Sequence, residues 1–114
     1  ASGAVYRRDL STISGFNAIT PISADIPSKF SLSQNYPNPF NPTTNIEFSL
    51  PEKSFVKLNV FDINGREVSQ LVNESLAAGT FKYDFSARNL PSGTYFYKLE
   101  TNKFIETKKM VVLK

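Results

Sequence analysis

The amino-acid sequence predicts an all-β protein, an antiparallel β-sandwich of about seven strands. Phe occurs 10 times and Tyr 5 times while Trp is absent, and both aromatic residues favour strands over helices. Apolar and polar residues alternate along several stretches, which are separated by turn residues at the spacing typical of a sandwich. No stretch keeps a helical period long enough to predict a helix. Each strand therefore has one apolar face, and two sheets packed face to face would bury these faces.

The chain length sets the number of domains. With 114 residues, the chain can bury one hydrophobic core but not two. Residues 1–29 carry scattered Ser and Gly without an apolar period, so we predict a linker or the tail of a preceding domain. A short added strand at residues 4–8 or 16–20 is the alternative. Residues 30–114 form the predicted domain.

The entry to this domain combines a short strand with a proline-rich loop. Residues 30–33 alternate between apolar and polar side chains and predict an edge strand. Three prolines follow within residues 35–42, where they fix φ, remove backbone donors and push the preceding residues to extended conformations. We therefore predict a rigid, largely extended loop in which the rings of Tyr36 and Phe40 enter the edge of the core.

The rest of the chain alternates between strands and turns. Four one-sided apolar stripes with a period of two are predicted to face the core: Ile46, Phe48 and Leu50; Val56, Leu58 and Val60; Phe81, Tyr83 and Phe85; Tyr95, Tyr97 and Leu99. Residues 66–72 and 104–113 add two further strands. Turns are predicted at residues 64–65, 76–79, 90–93 and 102–103.

The turn at Asn64-Gly65 has the strongest hairpin signal, because both residues tolerate a positive φ. Asp62 and Asn64 also resemble a fragment of a calcium loop. A calcium loop needs more oxygen ligands at set spacings, so hairpin chemistry is the better interpretation.

Two absences limit the function. The sequence contains no Cys and no His, which excludes thiol nucleophiles, disulfides, Cys/His zinc sites and any Ser-His-Asp triad. We therefore predict a protein that is not an enzyme and that has no catalytic, metal or cofactor site. The net charge of +3 is too small for a nucleic-acid-binding stripe, and no apolar run is long enough to span a bilayer. Residues 1–10 lack the apolar region of a secretory signal peptide.

The order of segments resembles one family, the type A C-terminal sorting domain of the type IX (Por) secretion system. The resemblance covers about residues 30–114 and lies in segments 32–44, 46–51, 60–68, 78–79, 90–97 and 106–114. Asn64-Gly65 stands where the family more often has a Leu-Gly pair. Single turns in this series are weak indications, whereas the complete ordered series is specific.

The resemblance implies an immunoglobulin-like sandwich that labels a larger exported protein. Such cargo passes through the periplasm and crosses the outer membrane by the type IX translocon to the cell surface or the extracellular space. A sortase-like surface peptidase then typically removes the domain, so the cleaved bond is expected within residues 1–30. The implied partners are the translocon, this peptidase and the upstream cargo on the same chain, with no nucleic acid and no membrane span, and the domain is expected to be a monomer.

The resemblance also implies two groups of recognition residues. One group is Pro91, Gly93 and Tyr95, for which a structural role in a turn and in the core is the alternative. The other group is Lys108, Lys109 and Lys114, for which the alternative is a solvated strand face that blocks edge aggregation. An exposed edge of the last hairpin offers a third means of recognition, because unpaired backbone groups are a template for strand addition.

A second function remains open from the sequence. The domain is alternatively an accessory carbohydrate-binding or structural module of an extracellular enzyme, since the fold does not determine function. The stripe of Phe81, Tyr83 and Phe85 would then be a sugar platform, although core packing accounts for it better and Trp is absent.

Overall fold

The computed structural model describes residues 19–23 and 25–114 and arranges them as two antiparallel sheets of four strands each. The strands are β1 (Ile19–Ser23), β2 (Ser31–Leu32), β3 (Thr43–Leu50), β4 (Ser54–Phe61), β5 (Glu67–Leu76), β6 (Gly79–Ser86), β7 (Gly93–Glu100) and β8 (Ile105–Val112). The described residues contain no helix, so the predicted all-β sandwich is confirmed. Among them, no helix is long and apolar enough to cross a membrane.

The strand order identifies the type of sandwich. One sheet has the order β1-β6-β3-β2 and the other the order β5-β4-β7-β8. Counted from β2, these strands occupy the A, B and E positions of one immunoglobulin sheet and the C′, C, F and G positions of the other. The topology therefore agrees with the predicted immunoglobulin-like arrangement.

One strand comes from the segment predicted as a linker. β1 pairs with β6, with Ile19 opposite Tyr83 and Thr20 opposite Lys82. It overlaps the alternative strand predicted at residues 16–20, whereas the one at residues 4–8 lies outside the described residues. The boundary of the domain at residue 30 stays a prediction.

The core lies between the sheets and is built from the predicted stripes. Phe48 of β3 stands opposite Phe81 of β6, and the two rings stack with centroids 5.5 Å apart. Leu58 of β4 stands opposite Leu99 of β7 in the other sheet. Each such side chain contributes about 1.5–3 kcal/mol when it leaves water. The buried apolar residues are Leu32, Phe40, Ile46, Phe48, Leu50, Val56, Leu58, Val60, Val72, Phe81, Phe85, Ala87, Tyr95, Tyr97, Leu99, Met110 and Val112.

The turn between β4 and β5 confirms the predicted hairpin. Gly65 has a φ of 84°, which only glycine adopts readily. The Asp62 carboxylate accepts hydrogen bonds from the backbone N–H groups of Asn64 (2.9 Å) and Arg66 (3.0 Å). These bonds, the one from Arg66 first, lower the pKa of Asp62. The Asp62 carboxylate therefore closes a turn.

Candidate recognition surface around the last strand

β8 is an edge strand, and its register determines which of its backbone groups are free. β8 pairs with β7, with Tyr97 opposite Lys108 and Phe96 opposite Lys109. The hairpin is closed by the bond from Thr101 N–H to the Phe104 carbonyl (2.8 Å). Because hydrogen-bonding direction alternates along a strand, the even-numbered residues of β8 bond to β7 and the odd-numbered residues present their N–H and C=O groups at the outer edge.

The second half of this outer edge is closed by residues 34–40, which we call the lead segment. The Gln34 side chain donates to the Lys109 carbonyl (2.7 Å), and the Val111 N–H donates to Asn38 Oδ1 (2.9 Å). The Phe40 N–H donates to the Val111 carbonyl (3.1 Å), and the Leu113 N–H donates to the Phe40 carbonyl (3.0 Å). The lead segment thus satisfies the edge of β8 from the Lys109 carbonyl onward.

A buried polar cluster holds the beginning of the lead segment in place. The hydroxyl of Tyr97 donates to the Ser33 carbonyl (2.7 Å) and accepts from the Asn35 N–H (2.7 Å). The Asn35 side chain donates to Thr44 Oγ1 (3.0 Å), and that hydroxyl donates to the Pro37 carbonyl (2.8 Å). Desolvation by burial raises the pKa of Tyr97 to about 12, so this hydroxyl keeps its proton at neutral pH.

The two aromatic residues of the lead segment have opposite environments. Phe40 is 2% exposed and meets the ring of Phe85 edge-on at 6.1 Å, as predicted. Tyr36 is 78% exposed, so the prediction that its ring enters the core was wrong. Its backbone bonds in both directions to Asn45 (3.0 and 2.9 Å), and the side chain of Asn35 takes the inward position beside it. Neighbouring residues of an extended segment face opposite sides, so the ring of Tyr36 points to solvent.

The first half of the outer edge of β8 is open. The outward N–H and C=O groups of Ile105 and Thr107 form no backbone hydrogen bond within the described part of the chain. Ile105 is 60% exposed, and Thr107 is also exposed. The edge expected on the last hairpin is therefore present, but it is limited to about half of the strand.

The three predicted lysines do not form one cluster. Lys108 lies on the inner face, where it pairs with Glu106 (3.2 Å), whereas Lys109 lies on the outer face and is exposed. Lys114 is held at residues 88–92, since its N–H donates to Ser92 Oγ (3.0 Å) and its Nζ to the Arg88 carbonyl (2.8 Å). Their role in recognition stays a prediction.

The second predicted group lies at the start of β7. Tyr95 is 5% exposed, and its hydroxyl donates to the Pro91 carbonyl (2.8 Å). Gly93 has a φ of 154°, which other residues rarely adopt, and it stands opposite Val112. Pro91 and Gly93 are exposed. The buried tyrosine therefore fixes a turn whose surface residues are accessible, while direct recognition of this group stays a prediction.

Two aromatic side chains form a groove on the outer face of the second sheet. Phe61 of β4 stands opposite Phe96 of β7, and the ammonium group of Lys98 lies 5.2 Å from the centre of the Phe61 ring. Together with Ile63 and Thr107 they line a cavity of about 270 Å³. Sequence reasoning missed this groove, although both phenylalanines lie on the faces of their strands that point away from the core.

The two remaining features considered in the sequence are the aromatic stripe of β6 and metal binding. Phe81 and Phe85 are buried, and Tyr83 is partly buried and packs against the same core, so core packing is confirmed for the aromatic stripe. Within residues 19–23 and 25–114, no group of three or more acidic residues, Cys or His is arranged to hold a metal ion.

Comparison with known proteins agrees with this geometry. A family described as the secretion system C-terminal sorting domain matches residues 34–113. The matched region begins with the lead segment and ends after β8. It therefore includes both the open residues of β8 and the lead segment that closes the rest of the strand, which together we call the composite edge. The comparison with curated proteins found no match.

Proposed function

The chain belongs to the C-terminal sorting domains of the type IX secretion system, and from this membership we propose that its folded sandwich is read by the translocon and then removed by a sortase-like peptidase. The family directs export toward the cell surface or the extracellular space, and its domains are sorting signals. The match over residues 34–113 is the observation that carries this function.

The structure supports recognition of a folded signal over recognition of a flexible peptide. Met110 and Val112 are fully buried, and the lead segment bonds to Val111 and Leu113 on the other side of the strand. Reading the residues of β8 as a linear peptide would require both sets of contacts to break. The translocon therefore binds the side chains and edge that the folded domain displays.

The proposed recognition residues lie at two places on this folded surface. Lys109 displays its charge on the outer face of β8, and Lys108 lies on the inner face beside Glu106. Lys114 lies against the turn of Pro91 and Gly93, through its bond to Ser92. Tyr95 supports that turn from inside, so its contribution to recognition is to position the Pro91 carbonyl.

Removal of the domain is proposed to occur before the strands of the main sandwich begin. The cleaved bond lies within residues 1–30. Cleavage takes place after the cargo has crossed the periplasm and reached the surface. Of the described strands, only β1 falls in that stretch, and it lies at the outer edge of its sheet. A cut there leaves β2 to β8 and the core of the label intact.

The test is export of a reporter that carries the full 114-residue chain at its C-terminus. The fusion is expressed, with an N-terminal signal peptide, in a type IX-competent strain and in an isogenic strain that lacks the translocon. We expect reporter at the surface or in the medium of the first strain and in the periplasm of the second. Periplasmic retention in both strains, while an established sorting domain is exported, would refute the function.

A further inference from the structure

The open half of β8 exposes backbone hydrogen-bonding groups that have no backbone partner in the described part of the chain. From Ile105 to Lys109 it presents the N–H and C=O groups of Ile105 and Thr107 and the N–H of Lys109, none of which bonds to another backbone group in the described residues. Exposed rows of this kind pair readily with an added strand. The other half of the same edge already holds an extended segment, since Phe40 forms a parallel bridge with Val112.

The opposite edge of the same sheet is a poorer template. β5 pairs with β4 through two irregularities in register, and such bulges twist an edge away from further pairing. β5 also carries the acidic residues Glu67 and Glu74. β8 has a continuous register with β7 and no such irregularity. Strand addition therefore favours β8.

The charge distribution indicates the chemistry of the added strand. Residues 93–114 hold five lysines and two glutamates, a net charge of +3, whereas residues 1–92 hold eight basic and eight acidic residues. The excess positive charge of the chain thus lies within its last 22 residues, which comprise the last hairpin and the two residues after it. Lys109, on the outer face, forms no ion pair with the described residues. An acidic partner complements this surface.

The groove on the outer face adds an apolar contact beside the open edge. Thr107 is both the central residue of that edge and a wall of the groove formed by Phe61 and Phe96. A strand added along β8 places one of its outward side chains next to Thr107. An apolar side chain at that position would cover the mouth of the groove.

We propose that an extended acidic segment of the secretion machinery binds this domain by adding a strand to β8 between Ile105 and Lys109. Its backbone bonds to the open edge, a carboxylate pairs with Lys109, and an apolar side chain lies at the groove beside Thr107. The added strand ends at Lys109, because the side chain of Gln34 in the lead segment already donates a hydrogen bond to the Lys109 carbonyl. This inference rests on the proposed function and identifies the surface that the machinery reads.

The first test is Thr107→Pro in the full-length reporter fusion. Proline removes the outward N–H of Thr107, whereas the bonds from β8 to β7 use the even-numbered residues and are kept. The matched control is Asn73→Pro on β5, whose N–H also points away from the sheet by the same alternation. We expect Thr107→Pro to lower export about tenfold or more, equivalent to about 1.4 kcal/mol of binding, and Asn73→Pro to be exported like the wild type.

The second test is Lys109→Glu, which changes a side chain and keeps every backbone group. Thermal unfolding shows whether Thr107→Pro folds. If it does not, Lys109→Glu decides whether the machinery binds at β8. Its control is Lys53→Glu, which reverses an exposed charge outside the last hairpin. We expect only Lys109→Glu to lower export. The strand-addition site would be overturned if the wild type, the folded Thr107→Pro variant and the Lys109→Glu variant were all exported equally well. The sorting function would then still stand. Absence of wild-type export would instead refute the function.

Discussion

Replacing Phe40 with alanine is expected to lower the free energy of unfolding by about 4 kcal/mol. The ring is 2% exposed and contacts Phe85, so its removal leaves a cavity between the sheets. Its backbone also bonds to Val111 and Leu113, and a loosened residue 40 weakens the closed half of the β8 edge. Urea unfolding of the full chain, followed by circular dichroism, measures the change.

Tyr36→Ala is the matched control for this substitution. The ring of Tyr36 is 78% exposed in the same lead segment, so its loss should change the unfolding free energy by no more than about 0.5 kcal/mol. If Tyr36→Ala lowered the free energy of unfolding by the same ~4 kcal/mol as Phe40→Ala, the ring of Tyr36 would be packed rather than exposed. A loss below about 1 kcal/mol for Phe40→Ala would contradict the position of its ring in the core.

Replacing Tyr97 with phenylalanine is expected to cost about 3 kcal/mol of unfolding free energy, because it leaves two backbone groups without their partner. These are the Ser33 carbonyl and the Asn35 N–H, each 2.7 Å from the hydroxyl. The aromatic ring is kept, so the change isolates the hydrogen bonds. Tyr36→Phe removes an exposed hydroxyl and should have little effect. A neutral result for Tyr97→Phe would mean that the buried cluster does not hold the lead segment.

The same hydroxyl predicts a dependence of stability on alkaline pH. The pKa of Tyr97 rises from an ordinary value of 10.0 to about 12 because burial disfavours the charged form. The unfolded chain loses this proton first, so the contribution of Tyr97 is fully present below pH 10 and is lost as the pH rises toward 12. Urea unfolding between these values should show a steeper loss of stability for the wild type than for Tyr97→Phe. Parallel curves would contradict this assignment.

The strands could be predicted from the sequence because their signal is local. In β3, β4 and β7 the apolar residues that face the core alternate with residues on the outward face, and this period alone places Phe48, Leu58 and Leu99 inside. The turn at Gly65 was likewise predicted from adjacent residues. The strands and turns that depend on such short-range patterns lie close to where the sequence indicates them, although β5 continues to Leu76, beyond the predicted end at residue 72.

The composite edge could not be predicted, because it joins residues far apart in the chain. Gln34 bonds to Lys109 and Asn38 to Val111, and no local pattern indicates these partners. The same limit explains the wrong prediction for Tyr36. Both aromatic residues of the loop look apolar in sequence, but only the long-range pairing of the lead segment with β3 and β8 decides which ring turns inward.

The charge distribution was visible in the sequence, whereas its arrangement on the surface was not. The lysines at positions 108 and 109 were predicted as one group, yet neighbouring strand residues lie on opposite faces. Of these two lysines, Lys109 alone lies on the outer face, the face that carries Phe96 and the groove. The last hairpin of the candidate site could therefore be predicted from the sequence. Its outer surface could not, because that surface depends on how β4, β7 and β8 align with one another.

Amide hydrogen exchange along β8, measured by NMR on the full chain, tests the central claim most directly. The N–H groups of Val111 and Leu113 donate to the lead segment, whereas those of Ile105 and Thr107 point to solvent from the same strand. We predict slow exchange at Val111 and Leu113 and fast exchange at Ile105 and Thr107. Fast exchange at all four, or protection of Thr107 equal to that of Val111, would contradict a strand whose edge is half closed and half open for binding.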